Sequence, residues 1–338
     1  MSFKDIVGQE DAKSLLSKAI INNKISHAYI ISGEEDSGKM MLAEAFATML
    51  LCENRVEEDS CGECHSCKQS KSHNNPDIIY VEREIDEKTH EKKRELGVNV
   101  IREQINNNIV LKPYGEKYKI YIVDEAHKMN QQAQNALLKT IEEPPEYAII
   151  ILLTDNHNSF LQTILSRCVL IETKPVARDQ IVKYLMNKCA VVDYQAQVVA
   201  SFAQGNLGKA IKLTSDEDFN QLKGQMLSVV KRMGRVNEFD ISETVKNLKE
   251  YKSSMDKYLD LLTLWYKDVL LYKATLKETG ILFAEDSFEV KSQAADISYA
   301  GLNNIMASIE DARAKFRANV NLELMIEQLL HAIKENIS

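Results

Sequence analysis

The residues that most clearly predict chemistry are four cysteines crowded into one short stretch, Cys52, Cys61, Cys64 and Cys67. Four thiolates at this spacing are enough to complete a tetrahedral Zn²⁺ site. Because sulfur fills every ligand position, such a site leaves no place for a reactive water, and the expected role is structural. The clustering favours a metal site in a reducing compartment over a disulfide framework. His65 and His73 are nearby alternative ligands.

A second candidate site is the stretch 33–40, which matches the G-x-x-x-x-G-K part of a phosphate-binding loop. Backbone amides in such a loop surround phosphate oxygens, and the lysine, here Lys39, reaches the outer phosphates. The candidate nucleotide-binding residues are Gly33, Ser37, Gly38 and Lys39. Met40 stands where a Ser or Thr hydroxyl would hold Mg²⁺, and acidic side chains occupy positions 34–36. Lost hydrolysis is therefore the favoured interpretation, with weak nucleotide binding and a working site as alternatives.

Two acids and a threonine, each following an apolar run, are candidates for the rest of a nucleotide site. Asp124 would hold the metal ion, and Glu125 would polarise the attacking water. The alternative is an acidic strand end that binds no ligand. Thr154 ends another apolar run and is a candidate sensor of a γ-phosphate.

Arg167 lies in a Ser-Arg-Cys stretch between a predicted helix and a predicted strand. An arginine at such a place can stabilise transition-state charge on a nucleotide bound by a neighbouring subunit. Taken alone, an arginine near a strand is usually an ordinary surface residue, and it is the surrounding motifs that favour the trans-acting role.

These side chains need an α/β framework, and the sequence predicts one. Apolar, β-prone runs occur at 28–32, 78–81, 119–123, 148–153 and 169–172. Their near-continuous apolar character is typical of parallel strands buried on both faces. Apolar residues recur at helical spacing over 41–51, directly after the glycine-containing loop. They do so again from Asn130 until Pro144. Strands alternating with helices predict a doubly wound α/β domain.

The second half of the chain has a different sequence pattern, which predicts helices alone. All five prolines lie in the first 175 residues, so we expect the remainder to be helical throughout. The apolar stripe Leu322, Met325, Leu329 and Ile333 predicts an amphipathic helix. Residues 82–95, with six acids and five bases, are predicted to be a solvated loop or helix face.

Composition limits the function classes. The net charge of −8 argues against a protein that grips nucleic acid alone through a wide basic surface. No apolar run reaches the roughly 18 to 20 residues of a membrane helix, and the first residues lack the apolar stretch of a signal peptide. We therefore expect a cytoplasmic protein.

Several motifs together resemble bacterial clamp-loader subunits of the AAA+ class. They are Val7-Gly8-Gln9, His27-Ala28-Tyr29, the 33–39 loop, the CGECHSC stretch at 61–67, NALLKTIEEPP at 135–145 and SRC at 166–168. The resemblance is strong over about the first 215 residues, and residues 319–322 look like the start of the family's C-terminal collar helix.

The resemblance implies three parts. An α/β nucleotide-binding-like AAA+ domain would span 1–174 and carry an inserted zinc module at 52–67. A small helical lid would span 175–214. An all-helical collar that holds a pentamer together would span 215–338.

The resemblance also implies partners and a role. The chain would join gamma/tau and delta subunits in a heteropentamer that loads the beta sliding clamp at a primer-template junction, and Arg167 would act as a finger toward a neighbour's ATP. Motor subunits carry a full GKT loop and a lid arginine, whereas this chain has Met40 and Gly208. We therefore do not expect this chain to catalyse ATP hydrolysis by itself, and we expect it to bind ATP or ADP weakly if it binds them.

Three other interpretations of the sequence are kept in view. An ATP-hydrolysing motor subunit is the main alternative. A zinc-containing nucleic-acid-binding adaptor is a second. A helicase, suggested by the DEAH tetrapeptide at 124–127, is disfavoured because only one α/β domain is predicted.

Overall fold

The computed structural model describes residues 2–85, 90–115, 117–235 and 238–337. The strands are β1 (Ala28–Ser32), β2 (Ile78–Val81), β3 (Lys119–Val123), β4 (Ala148–Thr154) and β5 (Val169–Glu172). The helices among and before them are α1 (Glu10–Ile21), α2 (Lys39–Leu51), α3 (His65–Lys71), α4 (Val98–Ile101), α5 (Gln131–Glu142) and α6 (Gln162–Leu165). A π-helical turn, Arg102–Asn106, continues α4.

The strands form one parallel sheet in the order β2-β3-β4-β1-β5. The predicted parallel α/β architecture is confirmed. β1 lies between β4 and β5, with Ala28 opposite Ile150 and Tyr29 opposite Val169. The chain that leaves the end of β1 therefore emerges from the interior of the sheet.

Alternation along each strand divides the apolar side chains between two cores. In β1, Tyr29 and Ile31 belong to one cluster, and Ala28 and Ile30 belong to the other. Successive side chains of a strand point to opposite faces, so helices cover the sheet on both sides.

The helix α2 is buried on nearly all sides. Every residue from Leu42 to Leu51 is buried, and Met40 and Met41 pack partly buried against the same cluster. A helix that is apolar all round belongs in the interior of a protein. The loop before α2 is thus attached to one of the most deeply placed elements of the sheet domain.

Beyond β5, the regular elements of the described residues are helical, as predicted. They are α7 (Arg178–Cys189), α8 (Asp193–Ala203), α9 (Leu207–Thr214), α10 (Glu217–Arg232), α11 (Glu238–Lys249), α12 (Met255–Thr275), α13 (Ser287–Asp296), α14 (Tyr299–Arg317) and α15 (Leu322–Glu335). Within the described ranges, no helix combines the length and apolar character needed to cross a membrane.

The chain divides into two compact units. One comprises residues 1–181 with 205–209, and the other comprises 182–204 with 210–338. In the second unit, Trp265 donates a hydrogen bond to Gln293, whose amide in turn donates to the Val230 carbonyl. Met325, Leu329 and Ile333 of the predicted stripe are buried in α15. The division into three domains stays a prediction.

The charge-dense stretch 82–95 differs from a purely solvated loop. Ile85 pairs with Lys92 in an antiparallel bridge, and Lys93 donates a backbone hydrogen bond to Glu84. The side chain of Arg83 is only 12% exposed. Residues 86–89 of this stretch lie outside the described residues.

Candidate functional site

The glycine-containing loop follows β1 directly and leads into α2. Gly38 caps the helix with φ of 90°, in the left-handed region where a side chain would be strained. Lys39 is the first residue of α2, so the loop places its ammonium group at the helix N-terminus. This is the strand, loop and helix arrangement that the sequence predicts for phosphate binding.

The ammonium group of Lys39 is fully engaged by the chain itself. Its Nζ donates to the carbonyl oxygens of Gly33 (2.7 Å) and Glu34 (2.6 Å) and to Oδ1 of Asp155 (2.6 Å). A lysine ammonium has three protons to donate, and three acceptors are in place. The Asp155 carboxylate is therefore the anion that neutralises Lys39 in this structure.

Glu125 is likewise held by neighbouring cations. Nε and Nη2 of Arg83 donate to its Oε2 at 2.8 and 2.5 Å, and Lys128 lies 3.2 Å from Oε1. Burial raises the pKa of Glu125, but hydrogen bonds from Arg83 and Lys128 outweigh it and hold that pKa below its ordinary value. Asp124 directly follows β3 and accepts a hydrogen bond from the Glu125 backbone at 2.9 Å.

Thr154, the last residue of β4, and Asp155, which follows it, have different hydrogen-bond partners. The Thr154 side chain is fully buried, and its hydroxyl accepts a hydrogen bond from the Asn156 backbone at 3.1 Å. Asp155 instead faces Lys39, and its backbone N–H donates to Nδ1 of His127 at 3.4 Å. The structure thus directs Asp155 toward the loop and gives the Thr154 hydroxyl a backbone partner.

Residues 205–209, which belong to the same compact unit, close over the loop. The Asn206 amide donates to the Glu35 carbonyl at 2.7 Å. A Cβ atom at Gly208 would lie 2.5 Å from the Asp36 carbonyl oxygen. Any side chain at position 208 would force the loop to move, so the lid arginine of a motor subunit does not fit this arrangement.

These groups surround a cavity of about 650 Å³, within the range that small-molecule sites occupy. Its lining includes the ionisable side chains Glu35, Asp36, Lys39, Lys92, Asp124, Glu125, His127, Lys128 and Asp155. Arg83, Lys92 and Asp155 were not predicted from the sequence as site residues. Asp155 directly follows the predicted sensor, which is a usable signal, whereas the pairing of Arg83 with Glu125 joins segments 42 residues apart.

The four cysteines converge as predicted. Their sulfur atoms all lie within 4.8 Å of one another, with 3.6 Å between Cys52 and Cys61 and 3.9 Å between Cys61 and Cys67. Cys52 caps the end of α2, and Cys64 caps the start of α3. His65 and His73 are not part of this cluster, and within the described chain His73 contacts Tyr80 and Glu44 instead.

The donor set fits zinc. A tetrahedron with Zn–S bonds of about 2.3 Å has edges of roughly 3.8 Å, close to the sulfur separations observed. Backbone N–H groups of Cys61, Cys64 and Cys67 donate to sulfurs within the cluster at 3.3 to 3.4 Å. Those of Cys64 and Glu63 lower the pKa of the Cys61 thiol to about 6, whereas burial raises the pKa of Cys52 and Cys67.

Arg167 lies between α6 and β5 with a half-exposed side chain. Its guanidinium contacts Oε1 of Glu142 at 3.1 Å and donates to the Thr163 carbonyl at 3.0 Å. Glu142 ends α5, the helix that Pro144 and Pro145 follow. The sequence-predicted finger is thus an accessible arginine, held near the surface by an exposed carboxylate.

Comparison with known proteins agrees with the predicted family. A family model described as DNA polymerase III, delta subunit, matches residues 8–177, and one described as its C-terminal part matches 217–335. DNA polymerase III subunit tau of Bacillus subtilis is 32% identical over 322 residues, covering 86% of this chain and 55% of that protein. Subunit delta' of the same organism is 26% identical over 335 residues, covering 97% of this chain and 96% of that protein.

The tau and gamma relatives are mostly longer proteins, and the chain spans between about a third and somewhat more than half of the first few that it matches. The structure of a gamma-subunit-related protein of DNA polymerase III from Thermotoga maritima aligns with 97% of this chain and 100% of its own at 19% identity, with a TM-score of 0.43. The two family models account for the α/β part and for most of the helical remainder. The chain therefore belongs to the DNA polymerase III delta-subunit family, within the AAA+ clamp-loader proteins.

Proposed function

We propose that the chain is the delta-prime subunit of a bacterial DNA polymerase III clamp loader, acting in the cytoplasm. The observation that carries the proposal is the end-to-end similarity to a delta' subunit, which covers 97% of this chain and 96% of that protein. In this role the chain joins gamma/tau and delta subunits and helps to place the beta sliding clamp on primed DNA.

We infer that this subunit does not hydrolyse ATP. Three features support the inference: Met40 offers no hydroxyl for Mg²⁺, the Lys39 ammonium is neutralised by Asp155, and Glu125 is tied to Arg83. A glutamate that polarises water needs a free carboxylate oxygen near the attacking water. The energy for clamp loading then comes from ATP bound by neighbouring subunits.

We also propose that Cys52, Cys61, Cys64 and Cys67 bind one structural Zn²⁺ and that Arg167 acts in trans. The sulfur separations support the first, and the accessible guanidinium of Arg167 supports the second. A guanidinium placed against a γ-phosphate stabilises the charge that develops there.

The proposal is tested by reconstitution with gamma/tau and delta subunits. We expect the full chain to complete an assembly that loads the clamp onto primed DNA, and the mixture without it to load poorly. A gamma/tau protein added in its place serves as the control. Equal loading with that substitute would contradict a delta-prime role.

A motor subunit is the second candidate, favoured by the 32% identity to a tau subunit. It predicts that the isolated chain hydrolyses ATP and that Lys39→Ala abolishes this activity. The two candidates are therefore separated by a single turnover assay on the purified chain.

A further inference from the structure

The N-terminal segment, residues 2–9, is held by the loop that carries the cysteines. The Ser2 hydroxyl donates to Oδ2 of Asp59 at 2.5 Å. The backbone N–H groups of Phe3 and Lys4 donate to the same carboxylate, both at 3.2 Å. Asp59 is only 5% exposed, so its charge is satisfied mainly by these donors and by the Ser60 backbone.

Asp59 is placed by its position between two of the cysteines. It lies in the connection from Cys52 to Cys61, where a single bridge from Val56 to Asp59 is the regular pairing observed. Arg55 ties this connection to the end of α2 by donating to the carbonyls of Met49 (3.0 Å) and Leu50 (3.2 Å). A metal ion that holds the two cysteines together closes this short loop and limits where the carboxylate can be.

The other end of the segment reaches the chain that follows β5. The Gln9 side chain donates to the Lys174 carbonyl at 2.6 Å and accepts from the Lys174 N–H at 2.8 Å. A Cβ atom at Gly8 would lie 3.1 Å from Val176. The segment therefore runs from the cysteine loop to residues 174–176 without leaving the first compact unit.

We propose that the four-cysteine loop anchors the N-terminal segment, with Asp59 as the positioning residue. Metal binding at the cysteines then fixes residues 2–9 and, through Gln9, the chain immediately after β5. This inference rests on the proposed zinc site. The cysteine loop then has a structural role within this chain, which is to hold residues 2–9 in place.

Hydrogen-deuterium exchange on the full-length protein, read together with zinc content, tests the anchor. In Asp59→Ala we expect the Phe3 and Lys4 amides to exchange faster by about tenfold or more, because they lose a charged acceptor, while one equivalent of zinc is kept. Glu58→Ala, at the exposed neighbouring acid, is the matched control and should leave both readouts unchanged. Zinc loss through Cys64→Ser with Cys67→Ser should accelerate the same two amides.

A further variant examines the far end of the segment. Gln9→Ala should accelerate exchange at the Lys174 amide while Phe3 and Lys4 stay protected. Unchanged protection of Phe3 and Lys4 in Asp59→Ala, or in the zinc-free double variant, overturns the anchor. Zinc analysis of the wild-type chain reports on the metal site itself, so failure of that site is distinguished from failure of the anchor.

Discussion

At the scale of single residues, the arginine between α6 and β5 is the sharpest test of a trans-acting role. Arg167→Ala should leave zinc content and assembly intact but lower the DNA- and clamp-stimulated ATP turnover of the reconstituted loader. The loss should be partial, because in the proposed assembly only one nucleotide site borders this chain. Arg167→Lys should fail almost as badly, since an ammonium lacks the planar fork of a guanidinium.

The control for the Arg167 variants is a substitution of Glu142, the carboxylate with which Arg167 pairs. Glu142→Gln removes the surface ion pair, 3.1 Å in this structure, without touching the guanidinium. Exposed pairs of this kind contribute at most about 1 kcal/mol, so the fold should be unaffected. If both arginine variants support wild-type turnover and loading, Arg167 is an ordinary surface residue.

The phosphate loop gives a second prediction at this scale. The purified chain should turn over no ATP above background, and Met40→Thr alone should not restore activity, because Asp155 still occupies Lys39 and Gly208 still supplies no cation. Lys39→Ala provides the background rate. Turnover that disappears in Lys39→Ala would support a motor subunit instead.

At the scale of elements, the cysteine loop should hold one zinc ion per chain. The short distances within the cluster make four-sulfur coordination the expected geometry. Elemental analysis of protein purified without chelator should give close to one equivalent, and Cys64→Ser with Cys67→Ser should abolish it. His65→Ala, outside the cluster, is the matched control and should keep the metal.

The start of α10 allows a test of stability in the second unit. Asp216 caps this helix by accepting a hydrogen bond from the Phe219 N–H at 3.0 Å and also contacts Lys257 at 3.1 Å. Asp216→Ala should therefore lower the free energy of unfolding by about 1 kcal/mol at pH 7. Urea unfolding followed by the fluorescence of Trp265, the single tryptophan, measures it.

The pH dependence of that cap has a definite sign. Burial raises the pKa of Asp216, but hydrogen bonds from the Phe219 backbone and from Lys257 outweigh it and hold the pKa below its ordinary value. The stabilisation is then fully present above the unfolded pKa of about 4 and is lost as the pH falls through the lowered folded value. The difference between wild type and Asp216→Ala should shrink below pH 4, and Asp216→Asn should keep most of the cap. A difference that stays constant with pH would contradict the ionised cap.

The secondary-structure elements were largely predictable from the sequence, but the charged contacts between distant segments were not. Four of the five strands begin and end where the apolar runs predict, and β4 extends one residue further, to Thr154. The cysteine spacing also predicted its cluster. Lys39 with Asp155 and Arg83 with Glu125 were missed, because periodicity describes how one segment is buried, not which charges two distant segments bring together.

At the scale of the whole molecule, the chain has the elements of a nucleotide site, but their charged side chains are paired within the chain. The loop, the acidic strand end and the 205–209 segment surround one cavity. Lys39 of the loop pairs with Asp155, Glu125 of the strand end pairs with Arg83, and Asn206 donates to the Glu35 carbonyl. In the proposed delta-prime role, the chain would be a non-hydrolysing neighbour within its assembly. Its contribution to ATP hydrolysis would then be made at another subunit's site, as proposed for Arg167.

The burial of α2 has a thermodynamic consequence. A helix packed on nearly all sides holds the loop in shape through the sheet domain's own core, so the folded state needs no ligand there. By mass action, only a molecule that binds the native state raises the melting temperature. Because Asp155 already occupies the Lys39 ammonium group, we expect the loop to bind little nucleotide, so the midpoint of this chain should stay nearly the same across millimolar ATP and ADP, whereas that of a nucleotide-binding gamma/tau protein should rise.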